Sequence, residues 1–208
     1  MTETPFLAAS PDVVLALRIA LRVLHFAGLV IGLGAATMLD FYLMQRRHQT
    51  VTAEMTQFVD QASQLVAIGL GLLWLSGLGF LLHYAQFDAE KLANPKVWAK
   101  ITIVLILTIN GGFIHYLVLP YLRASIGYGF LERLSPGRQQ LFIAIGVLSA
   151  ISWYIPLLLG SIPQLNFAVP AALILSIYGI VLIIGISLAV LFIAPREARS
   201  LDGCPKGN

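Results

Sequence analysis

The stretch VLHFAGLVIGLGAATMLDFYLM, residues 23–44, decides the class of this protein. It is long enough to cross the hydrocarbon core of a bilayer, which takes about 20 predominantly apolar residues in a helix. Only Asp40 within it is charged at neutral pH. Four further runs read the same way, over residues 62–84, 98–121, 140–162 and 168–194. Polar links separate them, among them Gln45-Arg46-Arg47-His48-Gln49 and Gln86-Phe87-Asp88-Ala89-Glu90-Lys91. Asn94-Pro95 ahead of the third run predicts a helix start, with an Asn cap and Pro in the first turn. Ser135-Pro136-Gly137 predicts a turn before the fourth. Pro156 predicts a kink inside the fourth span, and Pro170 a helix start for the fifth. The expected fold is all-α: one membrane domain of five transmembrane helices in a bundle, followed by a polar tail over residues 195–208.

The composition of the whole chain agrees. Its 208 residues are 58% hydrophobic and 11% charged, with a mean hydropathy of +0.85. A soluble domain carries about 25% charged residues, and a disordered chain needs high charge and low hydrophobicity. Both classes are excluded. The net charge of +3 comes from basic residues scattered between apolar runs. They form no stripe for nucleic acid, so the expected partner is the lipid bilayer. The one cysteine, Cys204, allows neither an intrachain disulfide nor a multi-cysteine metal site. Met1 to Ser10 lack a basic stretch, so no cleavable signal peptide is expected and the first span serves as its own anchor.

Arginine and lysine counts set an expected orientation. Arg46, Arg47, Arg123, Arg133, Arg138, Arg196, Arg199 and Lys206 fall on one side of the alternating spans. Arg18, Arg22, Lys91, Lys96 and Lys100 fall on the other. The richer side predicts a cytoplasmic C-terminus, an outward N-terminus and placement in a bacterial inner membrane. Residues 13–22 either extend the first helix outward or lie along the interface.

Ionisable groups inside spans are costly and are therefore the first functional candidates. His25, His83 and His115 lie in the first three spans, and Asp40 lies near the inner end of the first. Counting 1.5 Å of rise per residue from the span ends predicts two polar levels. His25 and His83 share the outer one, His115 and Asp40 the inner one. Each histidine shares a helix face with small residues: His25 with Gly28, Gly32 and Ala36; His83 with Gly69, Ser76 and Gly79; His115 with Thr108, Gly111 and Gly112. Such stripes also serve helix packing alone. A flat cofactor is the functional alternative, since imidazole ligates haem iron and arginine pairs with propionates. On that reading His25 and His83 are the axial metal ligands of haem b, and Arg18 and Arg22 hold the propionates. The pair Asp40 and His115 has three readings: a structural hydrogen bond, a catalytic proton relay, or a second ligand site. Asn110 is expected to bond across helices. Ser149, Ser152 and Trp153 should pack against the bundle, and Arg123, Arg133 and Arg138 should anchor it.

The run Leu24-His25-Phe26-Ala27-Gly28, continuing to Asp40-Phe41 and His48, resembles the opening helix of bacterial HemJ-type protoporphyrinogen oxidases. It also resembles the wider group of copper-resistance D-like membrane proteins. Trp98-Ala99-Lys100-Ile101, continuing to Asn110-Gly111-Gly112 and His115, is similar to their third helix, where a lysine precedes a histidine. The resemblance covers about the first 120 residues. It implies a membrane bundle that binds haem b and oxidises a porphyrinogen, with His25 as ligand and Lys100 near substrate or propionate. His115 follows the lysine at a longer interval than the family pattern. Copper handling finds no support in Met38 and Met44, which form no cluster with His25 or His83.

The sequence thus predicts a haem-b protein with a redox role: electron transfer, or oxidation of a membrane-soluble reductant. An electron-transfer partner or a homo-oligomer goes with it. The rival readings are a small permease using Asp40, Asn110 and His115, and a structural subunit of a membrane complex.

Overall fold

The computed structural model describes residues 10–130 and 134–193. The helices are α1 (Pro11–Arg46), α2 (Ala53–Phe87), α3 (Pro95–Phe113), α4 (Leu119–Ala124), α5 (Pro136–Ser161) and α6 (Ala171–Ile193). A π-helical turn, Ile114–Val118, joins α3 to α4, so that Pro95–Ala124 is one continuous span. Five segments are long and apolar enough to cross a membrane, and the described residues form a helical bundle without strands. The expected fold class is the one observed.

Helix ends follow local capping chemistry. The Thr52 hydroxyl accepts from the Met55 amide at 3.1 Å. The Asn94 carbonyl oxygen accepts from the Lys96 amide at 3.1 Å, with Pro95 in the first turn. The carbonyl of Pro170 accepts from the Leu173 and Ile174 amides and so opens α6. Pro156 sits inside a helix that continues to Ser161. Residues 13–22 extend α1, which runs for 36 residues. At 1.5 Å per residue that is about 54 Å, well beyond a core of about 30 Å.

Packing divides the bundle into two parts. The hairpin α1–α2 closes on glycine: a Cβ on Gly69 would strike the backbone of Gly32, and one on Gly28 would sit 2.9 Å from the Leu72 Cβ. Backbones approach that closely only where side chains are absent. Helices α3, α5 and α6 enclose a second core of Ala99, Ile103, Leu159, Ile174 and Tyr178, with Ser152 and Tyr178 hydroxyls 2.8 Å apart. The Trp153 ring fills the space over Gly32 and ties α5 to α1. At the end of the bundle carrying the α1–α2 link, Leu39, Met55, Val59, Leu119, Leu122 and Phe130 form a third cluster. There Arg123 donates to both carboxylate oxygens of Asp60, at 2.8 and 3.2 Å, so it ties α4 to α2 beyond any anchoring role. Of the other expected anchors, Arg138 is exposed, and Arg133 lies outside the described residues.

Candidate functional site, a cationic cavity within the bundle

Helices α2 and α3 stand apart over the half of the bundle that holds the start of α1, bridged by the Trp74 indole N–H donating to the Thr108 hydroxyl at 2.9 Å. Between the α1–α2 hairpin and α3–α5 lies a cavity of about 580 Å³. Its walls are mostly apolar. Arg22, His25, Trp74, Tyr84, Lys100 and Trp153 are the polar or aromatic groups that matter for its chemistry. No carboxylate lines it. Among the described residues neither Arg22 nor Lys100 has a hydrogen-bond or ion-pair partner. Two unpaired cations beside an apolar chamber suit a ligand with a flat or greasy body and an anionic edge.

Hydrogen-bond accounting places a proton on one ring nitrogen of His25. Its Nδ1 lies 2.9 Å from the Ser76 Oγ. The single hydroxyl hydrogen of Ser76 is donated to the carbonyl of Leu72 at 2.7 Å. Ser76 can therefore only accept at the histidine, which places the proton on Nδ1. In the neutral ring the Nε2 lone pair is then free, as metal ligation requires. Phe80 meets the ring edge-on with centroids 5.8 Å apart.

His83 does not join His25. The register of the hairpin sets Ser76 opposite His25, Leu72 opposite Gly28 and Gly79 opposite Leu21. His83 lies seven residues past Ser76, two turns or about 10.5 Å along the axis. It is buried, at 4% exposure, against Tyr84 and Phe87, with Nδ1 unpartnered, and it does not line the cavity. The expected common level of the two histidines is corrected accordingly. Span ends chosen by hydropathy are a poor ruler, because glycine contacts set the register and both helices overrun the core.

The two expected propionate arginines also separate. Arg22 lines the cavity, whereas Arg18 does not. Arg18 contributes, after the dominant hydrogen bond and charge of Lys91, to holding the Asp88 carboxyl below its ordinary range. Lys100, not Arg18, lines the cavity with Arg22. Lys96, one turn earlier, is committed elsewhere: it is buried, and its ammonium donates to the Ile162 carbonyl at 2.6 Å, at the end of α5.

Asp40 and His115 are not brought together. Asp40 is half-buried on α1 with no hydrogen-bond or ion-pair partner among the described residues, and His115 is exposed on the outside of the bundle. The face it shares with Gly111 and Gly112 is open: a Cβ on either glycine would meet nothing within 4 Å. From there the chain makes a π-helical turn into α4, the Leu119 amide bonding back to Ile114, five residues earlier. Pro120 follows directly and has no N–H for the carbonyl of Tyr116. Asn110 does bond across helices, donating to the Ile145 carbonyl at 3.1 Å. Asp40, Asn110 and His115 share no polar contact, so the path expected of a permease is not assembled from them. His48 accepts from the Arg47 Nε in the exposed α1–α2 link.

Sequence reasoning undervalued three residues here. Ser76 was visible only as a member of a small-residue stripe, and its role needs the hairpin register. Trp74 and Tyr84 carry no signal in a chain this apolar. Among the described residues no group of three or more His, Cys, Asp or Glu side chains could hold a bare metal ion. No protein-family model, curated protein or solved structure matches the chain.

Proposed function

We propose that this membrane protein binds haem b in the cavity between the α1–α2 hairpin and α3–α5, and that its role is redox. The carrying observation is the lining itself: a histidine whose Nε2 is left free, two unpaired cations and no carboxylate, around about 580 Å³ of mostly apolar space. That volume lies within the range typical of cofactor sites. His25 is the protein ligand to the iron, oriented by Ser76. Arg22 and Lys100 pair with the propionates, and Trp74, Trp153 and the leucine walls exclude water. The residues that the HemJ-type resemblance implies, His25 and Lys100, both line this chamber, which supports the reading. His83 is outside the ligand set, so His25 alone supplies iron ligation from the protein. When bound, haem supplies one-electron chemistry to a membrane-dissolved reductant. A porphyrinogen would be one such substrate.

The test is the visible spectrum of detergent-purified protein after reconstitution with haemin. The expected result is a Soret band that disappears in His25→Ala and survives in His83→Ala and His48→Ala. A wild-type protein that takes up no haem overturns the proposal, as does a His25→Ala variant with an unchanged band.

A further inference from the structure

The two ends of the cavity differ. At one end its lining stops at Leu29 on α1, Leu73 on α2, Leu107 on α3 and Ser152 on α5. There Ala36, Leu73, Leu107 and Trp153 pack into one buried cluster. From Leu29, α1 runs on to Arg46, about 25 Å at 1.5 Å per residue. That length holds the cluster around Leu39, Met55 and Leu122. It ends where the α1–α2 link pairs with the segment after α4. The Val51 amide donates to the Tyr128 carbonyl and the Gly127 amide to the Val51 carbonyl, both at 2.9 Å. Val51 is buried between them. At the other end the lining reaches the ends of the helices: Ser161 is the last residue of α5, and Val97 lies in the first turn of α3. Arg22, Gly160 and Ser161 are exposed there, and Lys100 is half-buried.

We infer that the chamber is a blind pocket with one entrance, between Arg22, Tyr84, Lys100 and Ser161, and that this entrance admits anions in preference to cations. Packed bundle closes the far end among the described residues, so a solute that enters here has no continuation to the other face of the membrane. The site therefore exchanges with one side only, which is the behaviour of a binding pocket and not of a permease. The preference for anions follows from the lining, which carries two cations and no carboxylate. Asp88, at the end of α2, is held by Lys91. A cleft of one sign of charge with low-dielectric walls raises the local concentration of the opposite ion by about 10-fold or more. An amphiphilic anion enters with its apolar body first and leaves its charged edge at the mouth. The inference holds for any such ligand and does not rest on the haem reading.

Gly77 lines the cavity, and a Cβ there would meet nothing within 4 Å, so Gly77→Cys places a thiol in the chamber without a clash. The background is Cys204→Ser, which removes the one native cysteine. Exposed markers are Glu90→Cys in the α2–α3 link, at the entrance end, and Glu54→Cys at the start of α2, at the closed end. Right-side-out and inverted membrane vesicles are treated with membrane-impermeant sulfonatoethyl or trimethylammonioethyl methanethiosulfonate. Gly77→Cys should be labelled in the vesicles that label Glu90→Cys and be protected in those that label Glu54→Cys. Normalised to Glu90→Cys, the anionic reagent should react about tenfold faster than the cationic one. That preference should vanish in Arg22→Gln combined with Lys100→Met and shrink in high salt. Leu81→Cys, at a second lining position, repeats the measurement if Gly77→Cys fails to assemble. Labelling from the closed end, or from both ends alike, overturns the single entrance. So does a thiol that reacts with membrane-soluble N-ethylmaleimide and with neither charged reagent, since the chamber would then open sideways to lipid. Equal rates for the two charges overturn the anion preference. The expected labelling in a protein that shows no Soret band overturns the haem reading alone.

Discussion

Ser76 shows how much of the site rests on single atoms. Its hydroxyl bonds the Leu72 carbonyl and accepts from His25, so it both satisfies the helix and sets the histidine tautomer. Ser76→Ala should leave the helix intact and let the imidazole turn. Metal-site partners of this kind are worth 10–100-fold in affinity, so haemin should bind about 10–100-fold more weakly, measured by titration of the Soret band. Unchanged affinity would show that His25 needs no such support. Gly32 is the packing counterpart. A methyl there runs into the Trp153 ring, and the backbone at Gly69 lies on the same contact. Gly32→Ala should cost about 1–3 kcal/mol, as overpacking does, read as a lower melting temperature in detergent. Gly34→Ala, with open space at its Cβ, should not.

At the scale of elements, the lysine pair on α3 separates stability from binding. Lys96 closes the end of α5 through the Ile162 carbonyl, a favourable place for a cation at a helix C-terminus. Lys96→Met should therefore lower stability by about 1–3 kcal/mol, the cost of a buried acceptor left unmade, with haem affinity retained. Lys100→Met should do the reverse, weakening haem binding while the melting temperature of the cofactor-free protein holds or rises. Equal effects of the two substitutions on both measurements would contradict the division of labour. The Asp88–Lys91 pair at the end of α2 gives a small pH dependence. The carboxyl is held below its ordinary range by the Lys91 hydrogen bond, then by nearby charge. Its contribution is present above the ordinary carboxylate range and fades as pH falls through the depressed value. Asp88→Asn should flatten that acid-side slope in a pH series of melting curves.

These same elements mark the limit of what was legible in the sequence. Helix existence followed from hydropathy, and the start at Pro95 followed from cap and proline chemistry, whereas Pro136 and Gly137, expected in a turn, are the first residues of α5. Arg22, His25 and Lys100 stood out because charge and imidazole are rare in spans. Depth was read wrongly for His83 because contact glycines, not span ends, fix the hairpin register. Facing was read wrongly for His115 because helical spacing shows which residues share a face but not what that face meets, and at Gly111 and Gly112 it meets open space. Neither feature has a local signature strong enough to be read before the fold is known.

For the whole molecule, scarce charge first identifies a membrane protein and then shows where its chemistry is concentrated. The α1–α2 hairpin and the α3–α5–α6 unit pack tightly within themselves, but over one half of the bundle they face each other across the cavity, with Trp74–Thr108 as a cross-strut. His25 and Arg22 belong to the first unit and Lys100 to the second. A dianionic ligand contacting all three therefore ties the units together and relieves the repulsion of unpaired cations in low dielectric. Binding must then appear as stability. At 100 times its dissociation constant, haemin should stabilise the protein by about 2.7 kcal/mol, or roughly 5–10 °C in melting temperature. The shift should be lost in His25→Ala and strongly reduced in Arg22→Gln combined with Lys100→Met. Protoporphyrin IX without iron keeps the propionates and lacks the ligation, so it should give a smaller shift that His25→Ala does not change. A haemin shift that survives all of these substitutions would place the ligand outside the cavity.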